Sequence, residues 1–523
     1  MDFVQTPGMH VCRGSKITKS GVCLFIHCFC YPFSKALSAA FTMAGTNPKE
    51  NMILAVVVIG TLMASIDSTI VLLAFPAMTA ALHSSIATII WVILIYMIVV
   101  AVFSTQFGRI GDIYGRGRMF NLGFVIFTIA SFLCGIAPSD LSLIAFRAIQ
   151  AIGGALISSN SSAIIADTFE RHRIGRAYGY TSMSWNIGAL LGILLGGVIT
   201  TFINYRYIFF INVPIGIVAV LLGLKYIKDS SRTEDRIDIA GMAALGAAIA
   251  LIAYAGINYA SVGITAVNVT LAVLGAIAAL CFAIIDKKVK MPTINFSMFS
   301  NKIFRNSLLA ALFQGLGFMG VTFMLIMYLQ GVRGYTPFYS SLLLFPGYIV
   351  SGVLAPYMGR LSDKYGARPI ATGGILFAVV GVAYYILVLG VSSPAYYIII
   401  GTIITGFGGA MFWPSNNSAV MANVAGELRG TASGTLRLLS SLGLIGSFII
   451  ALVAASSAIP RYLAFEIFAG TSKVIGGISK GFVSGMHVAF MVLALMLIIA
   501  GVFSYVRGKE DRSKPMHSNT AAD

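Results

Sequence analysis

The feature that most constrains this chain is a series of about fourteen apolar runs, each roughly twenty residues long, with the charges gathered into the short stretches between them. At about 1.5 Å of rise per residue, such a run forms a helix long enough to cross the ~30 Å hydrocarbon layer of a bilayer. Lipid offers no hydrogen bonds to a backbone, so each run must satisfy its own N–H and C=O groups, and the helix does this within one segment. The expected fold is therefore all-α and integral to the membrane. The runs lie near 52–75, 86–107, 118–137, 141–166, 177–200, 207–224, 239–259, 264–285, 304–330, 337–357, 369–390, 396–421, 431–455 and 484–505.

Composition narrows the function classes. Of 523 residues, 58% are hydrophobic and 10% are charged, against about 25% charged in soluble domains. The net charge of +17 sits almost entirely in the loops. With no basic face interleaved with aromatics to track a phosphate backbone, it excludes a nucleic-acid partner and reads as a topology signal. Most Lys and Arg fall in alternate loops and the C-terminal tail, which predicts a multi-pass cell-membrane protein with both termini cytoplasmic. Of the six cysteines, four (Cys12, Cys23, Cys28, Cys30) precede the first span, and none forms a metal-ligand spacing. Free thiols, no metal and no cofactor are expected. Residues 1–50 read as an N-terminal extension, disordered or preceding the true start, with Met43 as the natural beginning.

The chain contains an internal repeat. Gly108-Arg109-Ile110-Gly111-Asp112-Ile113-Tyr114-Gly115 ends the second run and Gly359-Arg360-Leu361-Ser362-Asp363-Lys364-Tyr365-Gly366 ends the tenth. Both copies follow the second helix of a six-helix unit. The organisation read from this is a six-helix half over 51–225, a linker with two extra spans over 226–303, a second half over 304–506 and a tail over 507–523. Parallel repeats of this kind mark one class of secondary transporter.

This loop resembles the signature loop of the major facilitator superfamily, and further motifs point to its fourteen-helix drug:proton antiporter branch. Ile66-Asp67-Ser68-Thr69-Ile70-Val71 through Pro76 is similar to that branch's first-span motif, with Leu72 where asparagine is usual. Arg147 through Gly154 is similar to the superfamily's R-x-x-Q-G-x-G pattern, with Ala151 in place of a glycine, and Tyr205 through Gly216 to the branch's segment entering its sixth span. The resemblance implies two six-helix bundles with two inserted central helices, and proton-coupled export of hydrophobic or cationic compounds by alternating access.

Each motif carries its own physical reading. Gly108 and Gly115 permit a tight turn and close helix approach. Asp112 can accept from a helix N-terminus or pair with a basic residue; with Gly108, Arg109, Gly115 and Arg116 it would form a cytoplasmic gate that Gly359, Asp363 and Gly366 repeat in the second half. Arg147 in mid-membrane demands a partner, and Asp67 lies at matching depth; together they form a candidate proton switch or else a static bridge. Gly188, Gly192, Gly196 and Gly197 place small surfaces on one face of the fifth span. Ile193 stands where the antiporter motif has proline, which puts the direction of transport in question and leaves simple helix packing as an equal reading. Gln150, Trp185, Asn186, Gln314, Phe318, Trp413, Asn416 and Asn417 are candidates for an adaptable substrate cavity, with Met183 beside them. Arg437 and His487 read as structural.

No phosphate loop of the form G-x-x-x-x-G-K-[ST] occurs, so energy must come from a gradient. The expected partners are the lipid bilayer, protons and a small hydrophobic or cationic substrate, and a monomer suffices. A symporter or facilitator for a metabolite, siderophore or organic anion is the competing transport reading. A membrane sensor lacks the soluble domain it would need, and an intramembrane enzyme lacks a nucleophile and base at one depth.

Overall fold

The computed structural model describes residues 48–169, 171–227, 239–288, 296–424, 429–457 and 476–508. The N-terminal extension up to residue 47 and the tail from 509 lie outside the described residues, as do the side chains of Arg109 and Asp363. Fourteen described helices are long and apolar enough to cross a membrane. In chain order they are α1 (Pro48–Ala81), α2 (Trp91–Tyr114), α3 (Arg116–Ile136), α4 (Asp140–Thr168), α5 (Arg171–Phe202), α6 (Asn212–Tyr226, reaching span length with the preceding turn from Tyr207), α7 (Ile239–Val262), α8 (Ala266–Lys288), α9 (Lys302–Met327), α10 (Pro337–Tyr365), α11 (Ala367–Val388), α12 (Tyr396–Ala422), α13 (Arg429–Ser457) and α14 (Gly476–Val506).

Local chemistry sets several boundaries. Ser139 caps α4 by accepting from the Ser142 backbone N–H, and the Ser142 hydroxyl returns the bond to the Ser139 N–H. Asn301 caps α9 through the N–H groups of Ile303 and Phe304, and Thr336 caps α10 ahead of Pro337 in its first turn. Each cap occupies donors that a helix start otherwise leaves open. Gly115 and Gly366 adopt φ of 105° and 94°, a region that disfavours a Cβ, and each turns the chain between consecutive helices.

Two expectations need correction. The first helix continues through Pro76 to Ala81 rather than ending near 75, because proline removes a single intrahelical bond and the buried surroundings hold the helix together across it. The repeated motif is not a loop: α2 and α10 run to Tyr114 and Tyr365, so all but the last glycine of each copy is helical.

The two halves share one packing scheme. In the first, α1 packs on α5 and α6, α4 on α2 and α3, and α3 on α6; in the second, α9 packs on α13 and α14, α12 on α10 and α11, and α11 on α14. The same five pairings recur eight helices later. Of the inserted helices, α7 sits against α2 of one half and α13 of the other, with Gly246 facing Val102 and Gly256 facing Ile449. α8 packs on α7 and exposes Val269, Val273, Ile277 and Leu280. Among the contacts joining the halves, Gln330 donates to the Leu73 carbonyl at 3.2 Å and the Phe338 N–H to the Thr201 hydroxyl at 2.9 Å. Ring pairs Phe75 with Phe323 and Phe202 with Phe338 lie in the same part of the seam, toward the Ala81 end of the bundle.

Candidate functional site

Asp67 lies midway along α1 and is 0% exposed, while Arg147 on α4 is 1% exposed. Their side chains meet with Nη1 2.7 Å from Oδ2. The second carboxylate oxygen, Oδ1, accepts from Gln150 Nε2 and from Asn212 Nδ2, both at 3.0 Å. Gln150 also accepts from Arg147 at 2.6 Å and donates to Ser131 of α3 at 2.7 Å. Arg147 Nε donates to the Val92 carbonyl of α2 at 3.1 Å, and the guanidinium lies 4.5 Å from the Tyr96 ring centre and 5.7 Å from that of Phe209. One carboxylate thus sits in a knot to which α1, α2, α3, α4 and α6 all contribute.

The elements explain the convergence. Arg147 and Gln150 are three residues apart on α4, adjacent on one helix face. Gly154, one turn further, leaves room for Tyr96, whose hydroxyl would lie 2.7 Å from a Cβ there. Asn212 begins α6, just after Arg206 anchors the preceding turn to the Gly135 carbonyl at 3.0 Å. Burying a charge in lipid requires a partner and satisfied hydrogen bonds, and here both carboxylate oxygens have them. Protonating Asp67 would cancel the attraction to Arg147 and turn one accepting oxygen into a donor, loosening contacts to two other helices.

Sequence reasoning singles out Asp67, Arg147 and Gln150, but assigns Gln150 to the substrate cavity; in the structure it belongs to the carboxylate knot. Asn212, Ser131 and Tyr96 escape it as site residues. The only signal for Asn212 is its place in the Tyr205–Gly216 segment, since a polar residue at a helix start ordinarily reads as a cap.

The expected substrate-cavity residues differ widely in exposure. Trp185 is 47% exposed and Asn417 is exposed, while Asn186, Phe318 and Trp413 are half-buried and Gln314 is buried. Asn416 is committed elsewhere, donating to the Ser307 carbonyl at 3.1 Å and accepting from Arg507 at 3.1 Å. That buried Arg507 ties α9, α12 and the end of α14 together.

At the expected gate, Arg116 bridges Asp112 at 2.6 Å and Asp167 at 2.7 Å. The latch therefore joins the ends of α2 and α4 within one half. The second copy has Ala367 where the first has Arg116, so the motif repeats in sequence without repeating this bridge. The close helix approach expected at Gly108 falls instead on Gly111. No atom lies within 4 Å of a Cβ on Gly108, whereas one on Gly111 would overlap the Asn160 side chain. On α5, a Cβ on Gly188, Gly192 or Gly196 would come within 2.7–2.8 Å of the α1 backbone carbonyls of Leu62, Ile66 and Ile70, and Gly197 meets Ser341 and Pro337 of α10.

A bundle of fourteen membrane helices in two similarly packed halves, with an ion pair buried mid-membrane, is the architecture of a secondary transporter. The Major Facilitator Superfamily pattern matches residues 57–240 and 239–448, and the chain belongs to that superfamily. It is 30% identical over 397 residues to the riboflavin transporter RibZ of Clostridioides difficile, covering 75% of this chain and 85% of that one. It is also 30% identical over 394 residues to multidrug resistance protein 3 of Bacillus subtilis, covering 74% and 76%. Among solved structures, a POT family transporter in complex with a thioalcohol conjugated peptide superposes with a TM-score of 0.62 at 16% identity, over 87% of this chain and 96% of that one. The chain is a membrane transporter and not an enzyme.

Proposed function

We propose that this transporter exports hydrophobic compounds across the cell membrane in exchange for protons. The observation that carries the reading is the Asp67 carboxylate, fully buried in mid-membrane and held by Arg147, Gln150 and Asn212 from two other helices. A group so placed changes the packing of several helices when it takes up a proton, which is what coupling a gradient to alternating access requires. The similarity to a multidrug resistance protein supports the substrate class. The excess of Lys and Arg in alternate loops supports cytoplasmic termini. With that orientation the seam between halves is joined toward the outside, as in an inward-facing state.

A symporter or facilitator for a metabolite is the second reading. It is favoured by Ile193 at the position where antiporters carry proline and by the similarity to a riboflavin transporter. The deciding measurement is proton movement in proteoliposomes carrying an internal pH dye, challenged with a panel of hydrophobic compounds. Substrate-dependent proton counterflow that disappears in Asp67→Asn is the expected result. Tracer movement without proton flux would sink the antiporter and favour the facilitator.

A further inference from the structure

The charge offered to a substrate can be read from what the spanning segments leave uncommitted. Within the described spans the acidic residues are Glu50, Asp67, Asp140 and Asp286. Three of these lie within three residues of a span end, and Asp67 is fully covered, with both oxygens engaged. The described spanning residues therefore present no mid-membrane carboxylate to a cationic substrate in this conformation. A cation near a span end, without a partner among the described residues, is presented instead. Arg437 lies about two turns inside α13, three residues into the span Gly434–Ser456, and is half-buried. Among the described residues, no hydrogen bond, ion pair or ring contact engages its guanidinium.

Helical phase places Arg437 on the face between the halves. It precedes Phe448 by eleven residues, which is three turns plus about 20° at 100° per residue. Phe448 packs edge-on against Phe323 at 5.3 Å, and Phe323 packs against Phe75 of the first half at 5.6 Å. The same face carries Ser441 and Leu444. Gly443 against the Leu312 carbonyl and Ser447 against Gly320 mark the centre of the face turned to α9, about 80–120° round from Arg437, with Phe448 at the edge of that contact. The stripe thus begins with a cation and a hydroxyl at the end away from the joined seam and becomes apolar toward Phe448. Such a surface complements a molecule with one anionic group and a hydrophobic body.

We propose that Arg437 is a specificity-determining residue, selecting hydrophobic organic anions, sulfonates or carboxylates, over their neutral and cationic counterparts. This rests on and deepens the transport reading above, and replaces the cationic substrate expected from the sequence. A side chain that only reaches for lipid headgroups would leave binding independent of the charge of the substrate.

The test uses the full chain, purified in detergent and immobilised, with tritiated 8-anilinonaphthalene-1-sulfonate as probe and N-phenyl-1-naphthylamine, the same skeleton without the sulfonate, as its neutral match. A charge-assisted hydrogen bond predicts a preference for the sulfonate of about tenfold or more, largely lost in Arg437→Gln and largely kept in Arg437→Lys. Affinity for the neutral probe reports that each variant is folded. Absence of sulfonate binding, equal binding of both probes by the unaltered chain, or an equal loss for both in Arg437→Gln, would overturn the proposal. Binding at equilibrium needs no gradient. Failure here therefore leaves the proton-flux test standing, and failure of that test leaves this preference measurable.

Discussion

Asp67 and Arg147 are eighty residues apart in the chain, yet their meeting was foreseeable, because depth along a membrane helix can be counted at about 1.5 Å per residue. Azimuth cannot be counted in the same way. Asn212 and Tyr96 therefore escape as site residues, and nothing in the spacing of Gln150 shows that it joins the carboxylate. If the knot stands as described, Arg147→Ala strands a buried carboxylate and costs about 3–5 kcal/mol. Thermal melts of purified protein should show that loss, and Asp67→Asn combined with Arg147→Ala should lose less than the sum of the two single changes. Additive losses would mean the two side chains do not interact. The glycines give a sharper contrast. Gly192→Val forces a side chain against Thr69 and the Ile66 carbonyl and should cost about 1–3 kcal/mol. Gly108→Ala enters open space and should stay within about 0.5 kcal/mol. Equal melting temperatures for these two variants would contradict the packing of α5 on α1.

At the scale of elements, span existence was legible throughout, since fourteen runs were expected and fourteen helices are present among the described residues. Their ends were less legible. The pattern of apolar residues marks the middle of a span, whereas α2 and α10 continue past it into the charged signature motif, where only hydrogen-bond geometry marks the finish. The signature motif shows what this hides. Read as a loop, it suggested a gate between halves; seen as the last turns of α2, it places Arg116 beside both Asp112 and Asp167, all three partly exposed. Solvent screening keeps such bridges below about 1 kcal/mol. Arg116→Ala should therefore shift the melting temperature little while slowing transport, because it unfastens the ends of α2 and α4 without emptying a core. A large drop in melting temperature with unchanged transport would reverse that assignment.

At the scale of the whole molecule, α1–α6 and α9–α14 repeat the same pairings, and the seam near Thr201 and Phe338 is one of the places where the two halves touch. Cysteines at these two positions, in a chain whose other cysteines are serine, should crosslink under mild oxidation and stop transport until a reductant is added. Crosslinked protein that still transports would show that this seam does not open. The inserted helices illustrate a limit of linear reading. They looked like a lengthened linker, but α7 occupies the seam between α2 and α13, a placement that no local pattern encodes. The sequence by itself determined the solvent, the number of spans, the duplication and the pair of mid-membrane charges, because each follows from residue type and spacing along one axis. Only the tertiary structure decided which side chains surround Asp67, which glycine of the signature motif touches a neighbour, and that α7 lies between α2 and α13. Rotation about a helix axis is set by packing against other helices, and a sequence of nearly uniform apolar residues carries little record of it.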